Sequence, residues 1–390
     1  MNENRTSLQE RLRALPRPVW ILFLGTFLNK FGTFVMPFLA LYMTRQGFTT
    51  TQAGIAIGAY GIGNFIASGL GGHLADRIGR RNTIVLSMLS GAVAMLLLSQ
   101  AHSFHGIVLV AGLVGLTNEF YRPASSALLA DLVPAGERVT AYAAYRLAFN
   151  AGWAFGPATA GFLAGRSYLW LFAGDAFSSL LFGIVAWFAL PHGFRGKKSD
   201  NNGWSVALKT LSRDRKFLRV LAASFAIAFV FLQMGSTFGL HVTHNGHPES
   251  TYGAILSLNG VLVVCFELYL TTITQRFPAR RVMAIGYVLI GGGFAFNAFA
   301  HSVPALACAM IIFTFGEMCS MPVSSAYIAD LAPPHLLGRY MGVMGFTWAS
   351  ALIFGPGIGM TLFAHSPMIL WISCGALGVL AAVIIASGKE

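Results

Sequence analysis

Apolar runs of about twenty residues recur along the whole chain, and almost no charge interrupts them. No other feature limits the possible folds as strongly. Backbone N–H and C=O groups placed in hydrocarbon must be satisfied within the protein, and a helix does this within each segment. A bilayer core of about 30 Å needs about 20 residues per helix. The pattern predicts spans near 18–43, 51–74, 82–101, 105–131, 138–164, 168–190, 218–242, 250–274, 281–300, 303–331, 338–363 and 367–387. Barrel strands would instead alternate polar and apolar residues over about ten positions. The composition agrees: 55% of residues are hydrophobic and 10% charged, where a soluble domain carries about 25% charged residues.

The net charge of +12 is distributed by side, not by face. With the N-terminus in the cytoplasm, 21 of the 26 Lys and Arg fall in cytoplasmic segments. Only Arg45 and Arg166 fall opposite, and Lys30, Arg122 and Arg146 lie within spans. Positive loops stay on the cytoplasmic side, so both termini are expected there, in a bacterial-type plasma membrane. This distribution argues against a nucleic-acid partner, which would need basic residues gathered on one folded face. No cleavable signal peptide is expected, because the first apolar run exceeds a signal h-region. Cys265, Cys308, Cys319 and Cys374 sit in apolar segments without metal-ligand spacing.

The longest polar stretch, 191–217, divides the spans six and six, and Trp204 to Leu211 reads as a surface amphipathic helix. A shift of 199 residues superposes the halves. Pro123, Ser125 and Ser126 fall on Pro322, Ser324 and Ser325; Ala130-Asp131-Leu132 falls on Ala329-Asp330-Leu331; Gly156-Pro157 falls on Gly355-Pro356. Parallel repeats of this kind enclose a substrate site near the bilayer midplane and rock around it.

The loop after span 2 reads Gly72-His73-Leu74-Ala75-Asp76-Arg77-Ile78-Gly79-Arg80-Arg81. It closely resembles the signature loop of the major facilitator superfamily. The resemblance covers the whole chain and implies an all-α membrane protein with twelve transmembrane helices in two pseudo-symmetric six-helix bundles. Residues 1–190 and 218–390 would form the bundles and 191–217 the cytoplasmic linker. Physically, the loop reads as a conformational latch. Gly72 would permit close helix packing, and Gly79 a tight turn. Asp76 would sit against a neighbouring helix N-terminus. Arg80 or Arg77, beside Arg81, would pair with a carboxylate, with Asp131 as the candidate. Breaking the network would open the cytoplasmic side. The plainer alternative is a solvated positive loop. The matching loop of the second half lacks the Asp and the Gly.

Span 5 carries Gly152, Gly156, Pro157 and Gly161. This is similar to the helix-5 motif of the superfamily's drug/proton antiporters, with Ala160 where that pattern has Gly. The small residues give a smooth packing face and Pro157 allows a kink. In that family the motif accompanies export. It also reads as generic helix packing.

Ionisable residues inside spans are costly and default to functional candidates. Lys30, Glu119, Arg122 and Glu317 fall near mid-span in spans 1, 4 and 10, and span 7 contributes Gln233. The resemblance implies that spans 1, 4, 7 and 10 line the cavity. Glu119 and Glu317 are the expected protonation sites, with Glu267 and Asp175 behind them. Asn29, Lys30, Phe34, Asn118, Arg122, Asn150 and Gln233 are the expected cavity residues. Phe231 and Met234 are weaker candidates, and Arg146 is a gate candidate. Lys30 is placed to reach Glu119, and Arg122 to pair with it at i,i+3. The same charges also read as static buried pairs that set helix register. His241, His244 and His247 read as an exposed loop without metal. Gly58-x-x-Gly61-x-Gly63 lies inside a span, with no strand before it, and is not a dinucleotide loop.

The expected function is a monomeric, proton-driven secondary transporter that exports small amphipathic compounds or drugs by alternating access. Its partners would be a small-molecule substrate, protons and membrane lipids. No cofactor is expected, and no Gly-x-x-x-x-Gly-Lys-Ser/Thr loop is present. One alternative is a proton symporter importing a sugar, peptide or siderophore-like solute. Another is a non-transporting solute sensor. An intramembrane enzyme is disfavoured, because no Gly-x-Ser-x-Gly or His-Glu-x-x-His occurs.

Overall fold

A computed structural model describes residues 15–134, 138–191, 212–333 and 336–387. The described residues form helices with no strand among them. Most of the linker, including Trp204 to Leu211, lies outside them.

Span 1 is two helices, α1 (Arg17–Phe31) and α2 (Val35–Arg45). Span 2 is α3 (Thr50–Arg77) and span 3 is α4 (Arg80–Gln100). Span 4 is divided into α5 (Phe104–Glu119) and α6 (Tyr121–Leu132). Spans 5 and 6 are α7 (Arg138–Ala164) and α8 (Tyr168–Ala189). Span 7 is α9 (Arg215–Leu232), a 3₁₀ turn (Gln233–Gly235) and α10 (Thr237–His244). Then follow α11 (Glu249–Thr274), α12 (Ala279–Phe296), α13 (Val303–Leu331), α14 (Leu337–His365) and α15 (Pro367–Ala386). Eleven of these spans are long and apolar enough to cross a membrane. The twelfth expected crossing, α7, is 27 residues long, but Arg146, Asn150, Trp153 and Pro157 make it less apolar.

The breaks have local causes. Pro123 cannot donate to the carbonyl four residues back, and its ring crowds that carbonyl. That carbonyl belongs to Glu119, where α5 ends. Spans 1 and 7 break at nearly equivalent positions: the 199-residue shift carries 32–34 onto 231–233, and the span-7 turn is 233–235. The packing repeats as well. Pairs α1–α7, α3–α5 and α4–α8 in the first bundle recur as α9–α14, α11–α13 and α12–α15 in the second.

The bundles meet mainly along α3–α14 and α7–α11. The joint is not uniform along its length. We call the end carrying the 72–81 loop the latch end and the opposite one the far end. Toward the far end the helices touch backbone to backbone. A Cβ at Gly54 would meet the Gly357 Cα at 2.8 Å, and one at Gly58 the Ile353 carbonyl at 2.7 Å. One at Gly61 would meet the Leu352 carbonyl at 3.0 Å. Further along the same face, the Phe65 and Phe346 rings meet at a 46° tilt with centroids 5.0 Å apart. Beyond them, a Cβ at Gly69 or Gly72 of α3, or at Gly342 or Gly345 of α14, would meet nothing within 4 Å among the described residues. Along α3–α14 the bundles touch toward the far end and leave open space toward the latch end.

A side chain at the Gly58 contact should therefore oppose far-end closure. Overpacking costs about 1–3 kcal/mol, a shift of about 5- to 150-fold in the closed-to-open ratio. Spin labels at Gln46 and His244, on opposite bundles, should report a longer mean distance in Gly58→Leu. An unchanged distance distribution would reject this reading of the joint.

Candidate functional site

A cavity of about 240 Å³ lies between the bundles at mid-span. Phe149, Asn150 and Trp153 of α7 form one wall. Phe231 and Met234 of span 7, Asn259, Gly260 and Val263 of α11 and Glu317 of α13 form the other. The lining is mostly aromatic and apolar, with few polar groups to fix orientation, as small-molecule sites are.

Glu317 is the one charged residue of this lining. Asn259 Nδ2 donates to Glu317 Oε2 at 2.8 Å and to Thr314 Oγ1 at 3.0 Å, and the Thr314 hydroxyl donates to the Met310 carbonyl at 2.7 Å. This chain fixes the amide orientation and holds the carboxylate at the cavity wall. No cation lies within 4 Å of Glu317 among the described residues, and its second oxygen has no hydrogen-bond partner there. That oxygen can accept a proton or a cationic ligand.

The first bundle arranges its charges differently. Arg122 Nη1 donates to Glu119 Oε2 at 3.3 Å. Glu119 is buried, whereas the Arg122 side chain is 57% exposed although it lies mid-span. Arg122 stands 5.8 Å from the centre of the Phe149 ring, so it borders the cleft. Lys30 is buried and has no carboxylate within 4 Å among the described residues; the expected reach to Glu119 is not made. Its ammonium instead lies over two rings, 5.1 Å from Phe149 and 5.4 Å from Tyr121. Ring faces carry negative quadrupole charge and hold a cation without a counter-ion. Phe149 thus has both cations within about 6 Å and forms part of the cavity wall. The sequence offered no signal for it beyond its place beside Asn150.

Several expected cavity residues do structural work instead. Asn29 is buried, with Nδ2 3.6 Å from Met88 Sδ. Asn118 packs its Oδ1 against Gly91, without a hydrogen-bond partner. Phe34 is buried against Phe31 and Gly174. Gln233 is fully buried. Its Nε2 donates to the Phe229 carbonyl at 2.8 Å and the Gly355 carbonyl at 3.3 Å, and its Oε1 accepts from Thr237 at 2.9 Å. It closes the 3₁₀ break and ties span 7 to α14. The break turns its neighbours Phe231 and Met234 to the cavity in its place.

Asp175, expected as a secondary proton site, caps a helix from outside. Its Oδ2 accepts the backbone N–H of Phe34 at 3.2 Å and of Val35 at 3.3 Å. The Val35 N–H is an orphan donor at the start of α2 that the carboxylate satisfies, while the Phe34 N–H is shared with the Gly32 carbonyl at 2.8 Å. Glu267 is occupied as well, in an ion pair with Arg146 that joins α11 to α7. Arg146 thus bridges the bundles on the latch-end side of the cavity.

The span-5 motif sets the joint. A Cβ at Gly152 would meet Lys30 Cβ at 2.8 Å and the Phe27 carbonyl at 2.7 Å. One at Gly156 would meet the Phe31 carbonyl at 2.6 Å. These glycines bring α7 onto α1 and carry Phe149, one turn away, to Lys30. Gly161 faces the other bundle, where its Cβ would meet the Glu249 carbonyl at 2.7 Å. Pro157 interrupts the ladder of α7, and the next amide, Ala158, donates across the joint to Ser257 Oγ at 2.9 Å.

The far end carries a cross-bundle cluster that sequence reading missed. Glu249, 4% exposed, pairs with Arg45 of α2 and accepts from Tyr168 Oη at 3.4 Å. The Arg45 guanidinium stands over the Tyr168 ring at 5.6 Å. Tyr252 Oη, also buried, lies 3.1 Å from the Pro37 carbonyl and 3.0 Å from that of Met234. Arg45 and Glu249 fall at span edges, where a charge reads as solvated; only packing pairs them. The histidines also differ from expectation. His241 is buried, receiving Trp371 Nε1–H on Nδ1 at 3.2 Å, and His247 Nε2 lies 2.8 Å from the His301 carbonyl. Among the described residues no group of three His, Cys, Asp or Glu converges.

At the latch end, Arg80 Nε donates to Asp131 Oδ2 at 2.8 Å and Nη1 to Asp76 Oδ1 at 3.0 Å. Gly79 precedes α4 with φ of +95°, which a side chain would resist. Arg81 lies over the Trp187 ring at 5.2 Å, and Arg77 is exposed in the last turn of α3. Two expectations change. A Cβ at Gly72 would meet nothing within 4 Å among the described residues, so no close helix contact requires this glycine, and Asp76 meets Arg80. The network joins α3, α4 and α6 within one bundle.

The sequence model described as Major Facilitator Superfamily matches residues 22–356 and again 238–388. An uncharacterized MFS-type transporter of Bacillus subtilis, YqjV, is 28% identical over 348 residues, covering 87% of this chain and 85% of that protein. A Na(+), Li(+), K(+)/H(+) antiporter of Planococcus maritimus is 25% identical over 382 residues, covering 90% and 88%. The quinolone resistance protein NorA of Staphylococcus aureus is 24% identical over 262 residues, covering 65% and 66%. Among solved structures, a POT family transporter in complex with 5-aminolevulinic acid superposes with a TM-score of 0.81 at 17% identity, covering 95% of each chain. The model spans both bundles and the fold agrees, so this chain belongs to the Major Facilitator Superfamily, a family of membrane transporters rather than enzymes.

Proposed function

We propose that this chain is a proton-coupled exporter of small amphipathic compounds that works by alternating access. The observation that carries the reading is the cavity between the bundles. An unpaired carboxylate, Glu317, faces aromatic walls there, close to an α3–α14 joint that touches toward one end and leaves open space toward the other. A carboxylate without a counter-ion in a low-dielectric wall gains by taking either a proton or a cationic ligand. Competition between the two for one site couples their movements in opposite directions.

Direction rests on charge. The loops at the latch end hold most of the Lys and Arg, which assigns that end to the cytoplasm. With that end cytoplasmic, the open space along α3–α14 faces the side from which an exporter would load substrate. A cation/proton antiporter and a quinolone resistance protein among the relatives support exchange and efflux.

The test is transport by the purified chain in proteoliposomes with an imposed pH gradient. Probes would be a lipophilic dye cation, Na(+), a sugar and a peptide. The dye should move against the proton flux, its steady-state ratio rising about tenfold per pH unit for each coupled proton. Sugar or peptide moving with the protons would replace export by import. Na(+) exchange alone would keep antiport but discard the amphipathic substrate.

A further inference from the structure

A second site lies away from the substrate path, on the outer face of the second bundle. A groove of about 610 Å³ opens at the latch end. The starts of α12 and the end of α15 form its floor, and Tyr327 of α13 stands on one side. Arg280 and Arg281 lie at its polar end, and Ala284 and Ile285 form its apolar continuation along α12.

The chemistry of the lining is divided along the helix. Arg280 is fixed in place: its Nε donates to the Ile385 carbonyl and its Nη2 to the Ala386 carbonyl, each at 2.9 Å. Those are orphan acceptors at the end of α15. A guanidinium has five N–H donors, so donors remain for a ligand in the groove that Arg280 lines. Arg281 is exposed beside it, and Ile285, one turn deeper, is 60% exposed. An anionic head above an apolar tail fits this order. A basic recess at the end of a transmembrane helix, continuous with a lipid-facing surface, suits an anionic phospholipid.

We propose that this groove binds one anionic phospholipid of the surrounding bilayer. The phosphate sits against Arg280 and Arg281, and one acyl chain runs along Ala284 and Ile285. The occupant is a lipid and not free phosphate, because half the lining is apolar and only a chain would cover it.

The test uses the full chain in mild detergent, titrated with short-chain phosphatidylglycerol, and reads the unfolding midpoint. Phosphatidylcholine of equal chain length and inorganic phosphate are the comparison probes. Phosphatidylglycerol should raise the midpoint saturably, and the other two should not. A basic residue near an anionic surface is worth about a fivefold change in affinity. Arg281→Gln should shift the phosphatidylglycerol titration by about that factor while leaving the lipid-free midpoint unchanged. Arg276→Gln, outside the groove, should not. Equal responses to both lipids, or equal loss in the two variants, would overturn the site. A response to inorganic phosphate matching that to phosphatidylglycerol would overturn the lipid occupant.

Discussion

Glu317→Gln should remove the proton from the transport cycle and leave exchange intact. The amide nearly matches the acid in size, and Asn259 can still donate to its oxygen, so the cavity wall should keep its shape. The variant has no titratable site there and cannot trade a proton for substrate. Under a gradient of one pH unit, accumulation should fall about tenfold for each coupled proton lost. Substrate-for-substrate exchange in the same liposomes should persist. Glu119→Gln should be milder for driven transport. Glu119 already has Arg122 as its partner, and its neutralisation leaves that cation with Gln oxygen and water. Full gradient-driven accumulation by Glu317→Gln would remove Glu317 as the coupling site and return Glu119 to first place.

Glu249→Gln should open the far end. Glu249 is the buried member of the Arg45–Tyr168 cluster and belongs to the other bundle. Losing one partner of a fully buried ion pair costs about 3–5 kcal/mol. The Arg45 side chain is 57% exposed, so the effect here is nearer that of a surface pair, about 1 kcal/mol. The closed-to-open ratio should fall about fivefold, and labels at Gln46 and His244 should show the longer distance gaining population. Arg45→Gln should act in the same direction, and the double variant should do little more than either alone, because the two residues share one interaction. Additive effects would show that the pair does not act as a gate. Asp131→Asn should leave that distance unchanged, because the Arg80 network joins elements of one bundle.

The sequence by itself determined the helices, their number of repeats and the candidate ions. Hydrocarbon admits no unsatisfied backbone and no stray charge, so length, apolarity and the few intramembrane charges are read directly from the chain. The 199-residue offset was equally legible, since the repeats keep their polar landmarks. The tertiary structure decided which candidate faces what. Lys30 and Glu119 share a depth, yet the lysine chose rings over the carboxylate because Gly152 lets α7 close on α1. Gln233 and Met234 are neighbours, yet a 3₁₀ turn sends one into the helix joint and the other to the cavity. Arg45 and Glu249 lie about two hundred residues apart at span edges, where sequence predicts only water. Rotation of a helix about its axis, and pairing between bundles, depend on packing across the whole molecule, and a one-dimensional pattern carries neither.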